Sequence, residues 1–241
     1  MTLIFGHRGA SAYAPENTVP SFELALEQGV DGVEFDVHLT KDGVPVVIHD
    51  ETVDRTTSGH GPVAGMTLDE LKSLDASAGK AGFAGVRVPT LTEVLDVVVP
   101  AGIQVNIELK NSLYVYPGLE AKVLELVDAY HMEKTVIISS FNHESLHLIQ
   151  ELRGSSLALG VLYQDVLFEA WRYVQGLGMP GIHPWIGVVS AEWVAKCHDA
   201  GLQVRPWTVD GDLLPKAFEW GVDGLFTNTP DVAARVRDER G

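Results

Sequence analysis

The chain has few of the residues that cross-link a protein or anchor it in a membrane. It contains one cysteine, Cys197, which excludes an internal disulfide and a metal site built from several cysteines. No apolar run approaches the roughly 18 residues that a membrane-spanning helix needs. The first residues, MTLIFGHRG, lack the basic and long apolar regions of a secretion signal. We therefore expect a cytoplasmic protein without a membrane span.

Positive charge is also scarce. The 17 lysines and arginines are outnumbered by 33 aspartates and glutamates, so the formal net charge is −16. The summed field repels polyanions, which argues against nucleic acid or an anionic membrane as a general partner. A small anion can bind only where basic residues or a metal ion reverse the sign locally. The composition leaves the oligomeric state open.

Eight short runs rich in β-branched residues are present, and amphipathic segments separate them. The predicted strands are 3–6, 32–37, 105–109, 135–140, 157–162, 181–185, 203–207 and 223–227. Strands that alternate with helices in this way are typical of parallel βα units. Eight units in 241 residues predict an α/β fold, a (β/α)8 TIM barrel, as one domain over residues 1–241.

A ninth run, PVVIHD at 45–50, lies too close to the second strand for a parallel crossover. Only TKDGV separates the two runs, whereas a crossover needs about a dozen residues. The run is therefore predicted to turn back antiparallel, with Gly43 in the turn, and to bring His49 to the barrel mouth. We expect residues 38–90 to form this hairpin and a small excursion between strands 2 and 3, over the mouth and without a separate core.

Charged residues break the apolar pattern on two strands. Glu34 and Asp36 share one face of the second strand, and Glu108 and Lys110 share one face of the third. Active sites of (β/α)8 enzymes lie at the C-terminal ends of the strands. Three converging carboxylates, Glu34, Asp36 and Glu108, form the all-oxygen site that Mg²⁺ or Ca²⁺ prefers. The alternative is a structural network in which these carboxylates pair with Arg8 and Lys110.

Histidines accompany the carboxylates. His7 and Arg8 follow the first strand, and His49 returns on the hairpin. Two imidazoles beside a metal ion and two permanent cations, Arg8 and Lys110, form an anion pocket that can also transfer protons. Such a pocket suits general acid–base displacement at phosphorus.

Other residues are weaker candidates for the same mouth. Phe141, Trp207 and Asn228 each end or follow a predicted strand, and a packing role is equally open for the two aromatic residues. His38 shares the face of Glu34 but lies beyond the strand end on the hairpin. We expect His38 to support the site or to have no role in it.

Several short motifs follow one another in order along the chain. They are HRG at 7–9, PENT at 15–18, EFD at 34–36, TKDG at 40–43, VVIHD at 46–50, DRTTSGHG at 54–61, ELK at 108–110, SSF at 139–141, PWTVD at 206–210 and DGLFTN at 223–228. At this spacing they resemble the glycerophosphodiester phosphodiesterase family over nearly the whole chain.

The resemblance implies a phospholipase-C-like barrel that hydrolyses glycerophosphodiesters, its small-molecule substrates, to sn-glycerol 3-phosphate and an alcohol. By position, His7 and His49 match the family's catalytic pair, Arg8 and Lys110 its phosphate contacts, and Glu34, Asp36 and Glu108 its divalent-metal ligands. Glu16 of PENT is a candidate to orient Arg8 or a metal-bound water, although the spacing alone does not show which. Asn228 stands where many relatives have Asp, and Asp210 where many have Asn; this difference bears on the head group and leaves the reaction intact.

Two alternatives stay open. The same residues suit a bulkier phosphodiester, as in a lysophospholipase D-like or a glycerophosphoinositol phosphodiesterase. A metal-dependent phosphate-binding module without turnover is the other alternative, although simple binding needs neither His7 nor His49.

Overall fold

A computed structural model describes residues 1–240 of the chain. Within that range the strands are β1 (Leu3–His7), β2 (Gly32–Leu39), β3 (Pro45–Val47), β4 (Gln104–Leu109), β5 (Val136–Ser140), β6 (Ala158–Tyr163), β7 (Gly181–Pro184), β8 (Gln203–Val204) and β9 (Gly224–Thr227). The α-helices are α1 (Val19–Glu27), α2 (Leu68–Ser73), α3 (Leu91–Val98), α4 (Leu119–Ala129), α5 (His143–Arg153), α6 (Ala170–Gly176), α7 (Ala191–Asp199), α8 (Leu213–Trp220) and α9 (Pro230–Asp238). None of these helices is long and apolar enough to cross a membrane. The cytoplasmic location stays a prediction.

Eight of the strands are parallel and lie side by side in the order β8, β7, β6, β5, β4, β2, β1, β9. The two end strands approach each other: the N–H of Asp223 donates to the carbonyl of Val204 at 2.9 Å, and that of Phe226 to the carbonyl of Pro206 at 3.1 Å. A regular ladder cannot continue there because Pro206 has no N–H. β8 ends at Val204, earlier than its predicted limit. The predicted (β/α)8 barrel is confirmed.

The short strand β3 forms the predicted hairpin. It pairs antiparallel with β2, and Val37 lies opposite Val47. Gly43 has a φ of 78°, a left-handed value that suits glycine. The hairpin therefore brings the segment after β3 back over the C-terminal ends of the barrel strands.

The excursion contains α2 and a small hydrophobic cluster. Its buried side chains are Val46, Ile48, Val53, Val63, Leu71, Ala76 and Val88. We expected this segment to form no separate core, and that expectation stays a prediction. A cluster of this size is typical of the satellite clusters that form beneath long loops, and the single-domain organisation stays a prediction.

Side chains fill the inside of the barrel. Phe5, Ile137 and Phe226 form an apolar cluster there. The ring of His183 lies over Gly160, where a Cβ would come within 2.3 Å of the imidazole. The interior below the mouth is thus a packed core.

Candidate active site

The turn after β1 places His7 and Arg8 at the mouth. Arg8 has a left-handed backbone with a φ of 57°, which costs roughly 1–2 kcal/mol in a residue with a side chain. Its N–H donates to the carbonyl of Glu34 at 2.9 Å and to Glu34 Oε2 at 3.0 Å. Next to it, Gly9 has a φ of 82°, and a Cβ there would lie 2.4 Å from Ser21 Oγ. The sequence HRG therefore permits a tight turn that contacts the second strand.

The pairing of β2 with β4 brings three carboxylates together. Asp36 lies opposite Glu108 in the register, and Glu34 lies one step earlier on the same face of β2. All three are at most 9% exposed, and one oxygen of each lies within 4.8 Å of the others. These are the carboxylates that the sequence singled out as metal ligands.

The electrostatics of the carboxylates favour a bound cation. Burial raises the pKa of Glu34 well above its usual value, and the charges of Asp36 and Glu108 add to the effect. Burial also raises the pKa of Glu108, despite the neighbouring charge of Lys110. Among residues 1–240, Asp36 Oδ1 is buried without a hydrogen-bond partner. An all-oxygen donor set with surplus negative charge and an unsatisfied oxygen fits a hard divalent ion.

The structural-network alternative accounts for only part of this cluster. Lys110 Nζ lies 2.9 Å from Glu108 Oε1 and 3.7 Å from Asp36 Oδ1, and Arg8 Nε lies 3.5 Å from Asp36 Oδ2. Burial opposes ionisation of Asp36, but the neighbouring His49, Lys110 and Arg8 lower its pKa overall. Glu34 has no such cationic contact within hydrogen-bond distance. Arg8 and Lys110 together offset only two of the three negative charges of the ionised carboxylates.

His7 is held by a neutral amide. Its Nδ1 lies 2.7 Å from Asn228 Oδ1, and its Nε2 lies 3.9 Å from Glu34 Oε2. Because an amide oxygen only accepts, Nδ1 carries the proton and Nε2 is free to accept one. Burial, and then the charge of Arg8, lowers the pKa of His7 to about 4. His7 is therefore neutral at pH 7 and equipped to take up a proton at Nε2.

His49 is held by a carboxylate. Its Nδ1 lies 2.6 Å from Asp50 Oδ1, and its Nε2 lies 3.4 Å from Lys110 Nζ. The carbonyl of His49 accepts a hydrogen bond from His38 Nε2 at 3.1 Å, and the other nitrogen of His38 contacts the Tyr116 hydroxyl at 2.9 Å. Buried His38 lies inside β2, and not beyond the strand end as expected. Its hydrogen bond holds the backbone of His49.

A cavity of about 320 Å³ connects these groups, a size that suits a small-molecule site. His7, Arg8, Glu34, His49, Glu108 and Lys110 line its charged side. Phe141, Leu162 and Trp207 line its apolar side. The Phe141 and Trp207 rings are 5.7 Å apart and nearly perpendicular, so the two predicted aromatic residues lie together at the mouth.

Some residues at the site were not singled out from the sequence. Asn17 donates to Asp36 Oδ2 at 2.8 Å, and Arg55 contacts Asp50 from the excursion. Both residues lie inside motifs of the family pattern, PENT and DRTTSGHG, which mark them as candidates. Only the tertiary contacts show that Asn17 binds Asp36 and that Arg55 binds Asp50. Gln164 lines the cavity as well, and nothing in the sequence pattern points to it.

The departure at Asn228 and Asp210 has a geometric explanation. Asn228 Nδ2 donates to Asp210 Oδ2 at 2.6 Å, and the Asn228 N–H donates to Asp210 Oδ1 at 2.9 Å. An exchange of amide and carboxylate between these two positions therefore keeps both partners in contact. The exchange changes which group holds His7.

The sequence of this chain is similar to those of known proteins. A model of the glycerophosphoryl diester phosphodiesterase family matches residues 7–232. A glycerophosphodiester phosphodiesterase from Caldanaerobacter subterraneus is 45% identical over 234 residues, which cover 96% of each chain.

Solved structures give the same result. A phosphodiesterase from Oleispira antarctica, in complex with the product sn-glycerol 3-phosphate, superposes with a TM-score of 0.86 at 29% identity, covering 99% of this chain and 97% of that one. A glycerophosphodiester phosphodiesterase from Agrobacterium tumefaciens superposes with a TM-score of 0.84 at 32% identity, covering 98% and 100%. With its barrel, its buried carboxylates and its two mouth histidines, this chain belongs to the glycerophosphoryl diester phosphodiesterase family.

Proposed function

We propose that this protein is a metal-dependent glycerophosphodiester phosphodiesterase that releases sn-glycerol 3-phosphate and an alcohol. The observation that carries the proposal is one cavity lined by two carboxylates, two histidines and two cations, with the third carboxylate, Asp36, within 4.8 Å of the other two. Relatives that carry this enzyme name, and a neighbouring structure that holds the product, support the same reaction.

Glu34, Asp36 and Glu108 would hold the metal ion. Their oxygen-only donor set favours Mg²⁺ or Ca²⁺ over zinc, which usually takes nitrogen or sulfur. When bound, a divalent ion acts as a Lewis acid towards a phosphoryl oxygen.

The side chains around the carboxylates divide the remaining work. Arg8 and Lys110 bind the phosphate through charge-assisted hydrogen bonds. Of His7 and His49, one takes the proton of the attacking hydroxyl and the other gives a proton to the leaving alkoxide. The attacking hydroxyl belongs to water or to the substrate's own glycerol, in which case a cyclic phosphate forms and is then opened.

The first test is release of sn-glycerol 3-phosphate from glycerophosphocholine by purified protein. We expect product to disappear after chelation and to return on addition of Mg²⁺ or Ca²⁺. Absence of product with either metal, across choline, ethanolamine and glycerol head groups, would contradict the proposal. If the protein then still bound sn-glycerol 3-phosphate, it would be a phosphate-binding module.

A bulkier, apolar substrate is a second candidate, because the mouth has exposed apolar side chains. Leu113 and Val115 follow β4, Val166 and Phe168 follow β6, and all four are between 77% and 92% exposed. The loop between them, after β5, consists only of residues 141–142. Because this loop is short, the rim has a gap at the apolar side of the cavity. An acyl chain bound to the head group would extend out of the cavity through this gap.

A comparison of two substrates tests this candidate. If the acyl chain binds between the two loops, kcat/KM for lysophosphatidylcholine will exceed that for glycerophosphocholine. Phe168→Ser will then lower only the value for lysophosphatidylcholine. Equal effects on both substrates, or none, would leave the small glycerophosphodiester as the substrate. Glycerophosphoinositol serves as a bulky polar control.

A further inference from the structure

One arginine of the excursion links two segments that carry site residues, the turn after β1 and the hairpin after β3. Arg55 donates from Nη1 to Glu16 Oε2 and from Nη2 to Glu16 Oε1, both at 2.8 Å. It also donates from Nε to Asp50 Oδ2 at 2.7 Å and from Nη2 to Asp50 Oδ1 at 2.9 Å. A single guanidinium therefore holds two carboxylates, each through both of its oxygens.

Each of these carboxylates also contacts a residue of the site. Glu16 Oε1 accepts from Arg8 Nη1 at 2.8 Å, and Asp50 Oδ1 accepts from His49 Nδ1 at 2.6 Å. Arg8 comes from the turn after β1, whereas His49 comes from the hairpin after β3. Arg55 is thus the contact through which the two segments are tied together outside the cavity.

The chemistry of arginine suits this position. Its guanidinium is a rigid planar fork that matches carboxylates two bonds at a time. The Arg55 side chain is 48% exposed, and an isolated exposed pair would stabilise little, but bidentate pairs joined in a network are the exception to that rule. The hydrogen bonds from Arg55 lower the pKa of Asp50. Ionised Asp50 only accepts, which fixes the proton of His49 on Nδ1.

We propose that Arg55 is a positioning residue of the reaction, which orients His49 through Asp50 and Arg8 through Glu16 without contacting the substrate. The inference rests on the proposed function, in which His49 transfers a proton and Arg8 binds the phosphate. It gives the excursion a task in turnover besides covering the barrel.

The kinetic test compares Arg55→Ala with a matched control, Arg87→Ala. Arg87 also lies in the excursion and donates to the carbonyl of Ser73 at 3.0 Å, away from the site. We expect Arg55→Ala to lower kcat about 10- to 100-fold, the usual effect of a small misplacement of reacting groups. KM for glycerophosphocholine should change less than kcat. Arg87→Ala should keep wild-type kcat.

Two further measurements separate positioning from folding. Millimolar guanidinium should restore part of kcat to Arg55→Ala, because the free ion can take the place of the Arg55 side chain between Glu16 and Asp50. In a double-mutant cycle, Arg55→Ala should add little to the loss caused by Asp50→Asn. A rise in KM alone would instead make Arg55 a substrate contact, and a loss explained entirely by a lower Tm would make it a structural staple; either result would overturn the proposal.

A spectroscopic arm does not depend on turnover. In ¹⁵N-edited spectra, His49 of the wild type should show one tautomer with the proton on Nδ1, and Arg55→Ala should show a mixture of tautomers. If the wild type releases no product from any glycerophosphodiester, the proposed function fails while this arm still decides the role of Arg55. An unchanged His49 tautomer together with unchanged kcat would overturn the positioning role alone.

Discussion

The two halves of the barrel mouth are built from different chemistry. The half formed by β1, β2, β4 and the hairpin carries the ionisable side chains, and hydrogen bonds link almost all of them to one another. The half formed by β5 to β8 carries Phe141, Leu162 and Trp207, and the rings of Phe141 and Trp207 pack against each other. Both halves line the same cavity.

The difference separates the chemistry from the shape of the site. In the charged half the histidines are fixed by hydrogen-bond partners, as Asn228 fixes His7 and Asp50 fixes His49. Such fixed dipoles and charges need no rearrangement during the reaction. The apolar half excludes water and limits what fits. We therefore expect substitutions in the charged half to lower turnover and those in the apolar half to change mainly substrate affinity.

The largest effect is expected from the buried carboxylates. Glu34→Gln should lower kcat/KM on the order of 10⁴-fold at limiting metal, since metal catalysis contributes several kcal/mol. Calorimetry should show weaker Mg²⁺ or Ca²⁺ binding, and Glu23→Gln, on the exposed side of α1, should match the wild type. The metal-free variant should melt no lower than the wild type, because the substitution removes buried like-charge repulsion. A loss of activity that follows a lower Tm would contradict this explanation.

The next effect concerns the histidines. His7→Asn and His49→Asn should each lower kcat about 10²- to 10⁴-fold, the usual contribution of a general acid or base. Calorimetry with sn-glycerol 3-phosphate should show affinity close to that of the wild type. His60→Asn is the matched control, because His60 lies in the excursion with its side chain 87% exposed. Wild-type kcat in either mouth variant would remove that histidine from the reaction.

A smaller effect is expected in the apolar half. Phe141→Ala removes an aromatic pair of roughly 0.5–1.5 kcal/mol, so we expect KM to rise about 2- to 10-fold with kcat nearly unchanged. Steady-state kinetics with glycerophosphocholine measure both constants. Phe168→Ala, on the exposed rim, is the control for this small substrate. A fall in kcat as large as that of the histidine variants would erase the distinction between the two halves.

The same distinction explains what could be predicted from the sequence. Glu34, Asp36 and Glu108 stand out because a charge on the inward face of a barrel strand breaks the apolar alternation. Phe141 and Trp207 were candidates only by their place at strand ends, since an aromatic residue at the mouth has the same pattern as one in the core. The fold was predictable in full outline from the eight alternating units.

Other features depend on contacts between distant segments. The bonds from Arg55 to Glu16 join residues 39 positions apart, and no local pattern reports such a pair. The satellite cluster of the excursion was missed because its apolar residues are spread singly along a loop without regular period. Strand β8 is shorter than predicted, and the prolines at 184 and 206, which lack the N–H that a ladder needs, are the local signal that the prediction left unused.

The smallest effect concerns His183, a titratable group buried in the apolar half. Its ring lies 5.3 Å from that of Phe226, and neither ring nitrogen has a hydrogen-bond partner in the part of the chain that the structure describes. Burial, and then the charge of Arg205, lowers the pKa of His183 well below the usual 6.5. Below pH 6.5 the unfolded chain therefore takes up a proton that the folded protein does not, and stability falls as the pH falls, by at most about 1.4 kcal/mol per pH unit.

Denaturant unfolding between pH 6.5 and 5 measures this contribution as the difference between the wild type and His183→Leu. The variant should lose less stability on acidification, because leucine takes up no proton, whereas His60→Asn should keep the wild-type slope. Above pH 6.5 the two curves should run parallel. Identical slopes in the wild type and His183→Leu below pH 6.5 would mean that His183 is protonated in the folded protein. The apolar half would then also contain a buried charge, and the two halves would differ only in the side chains that line the mouth.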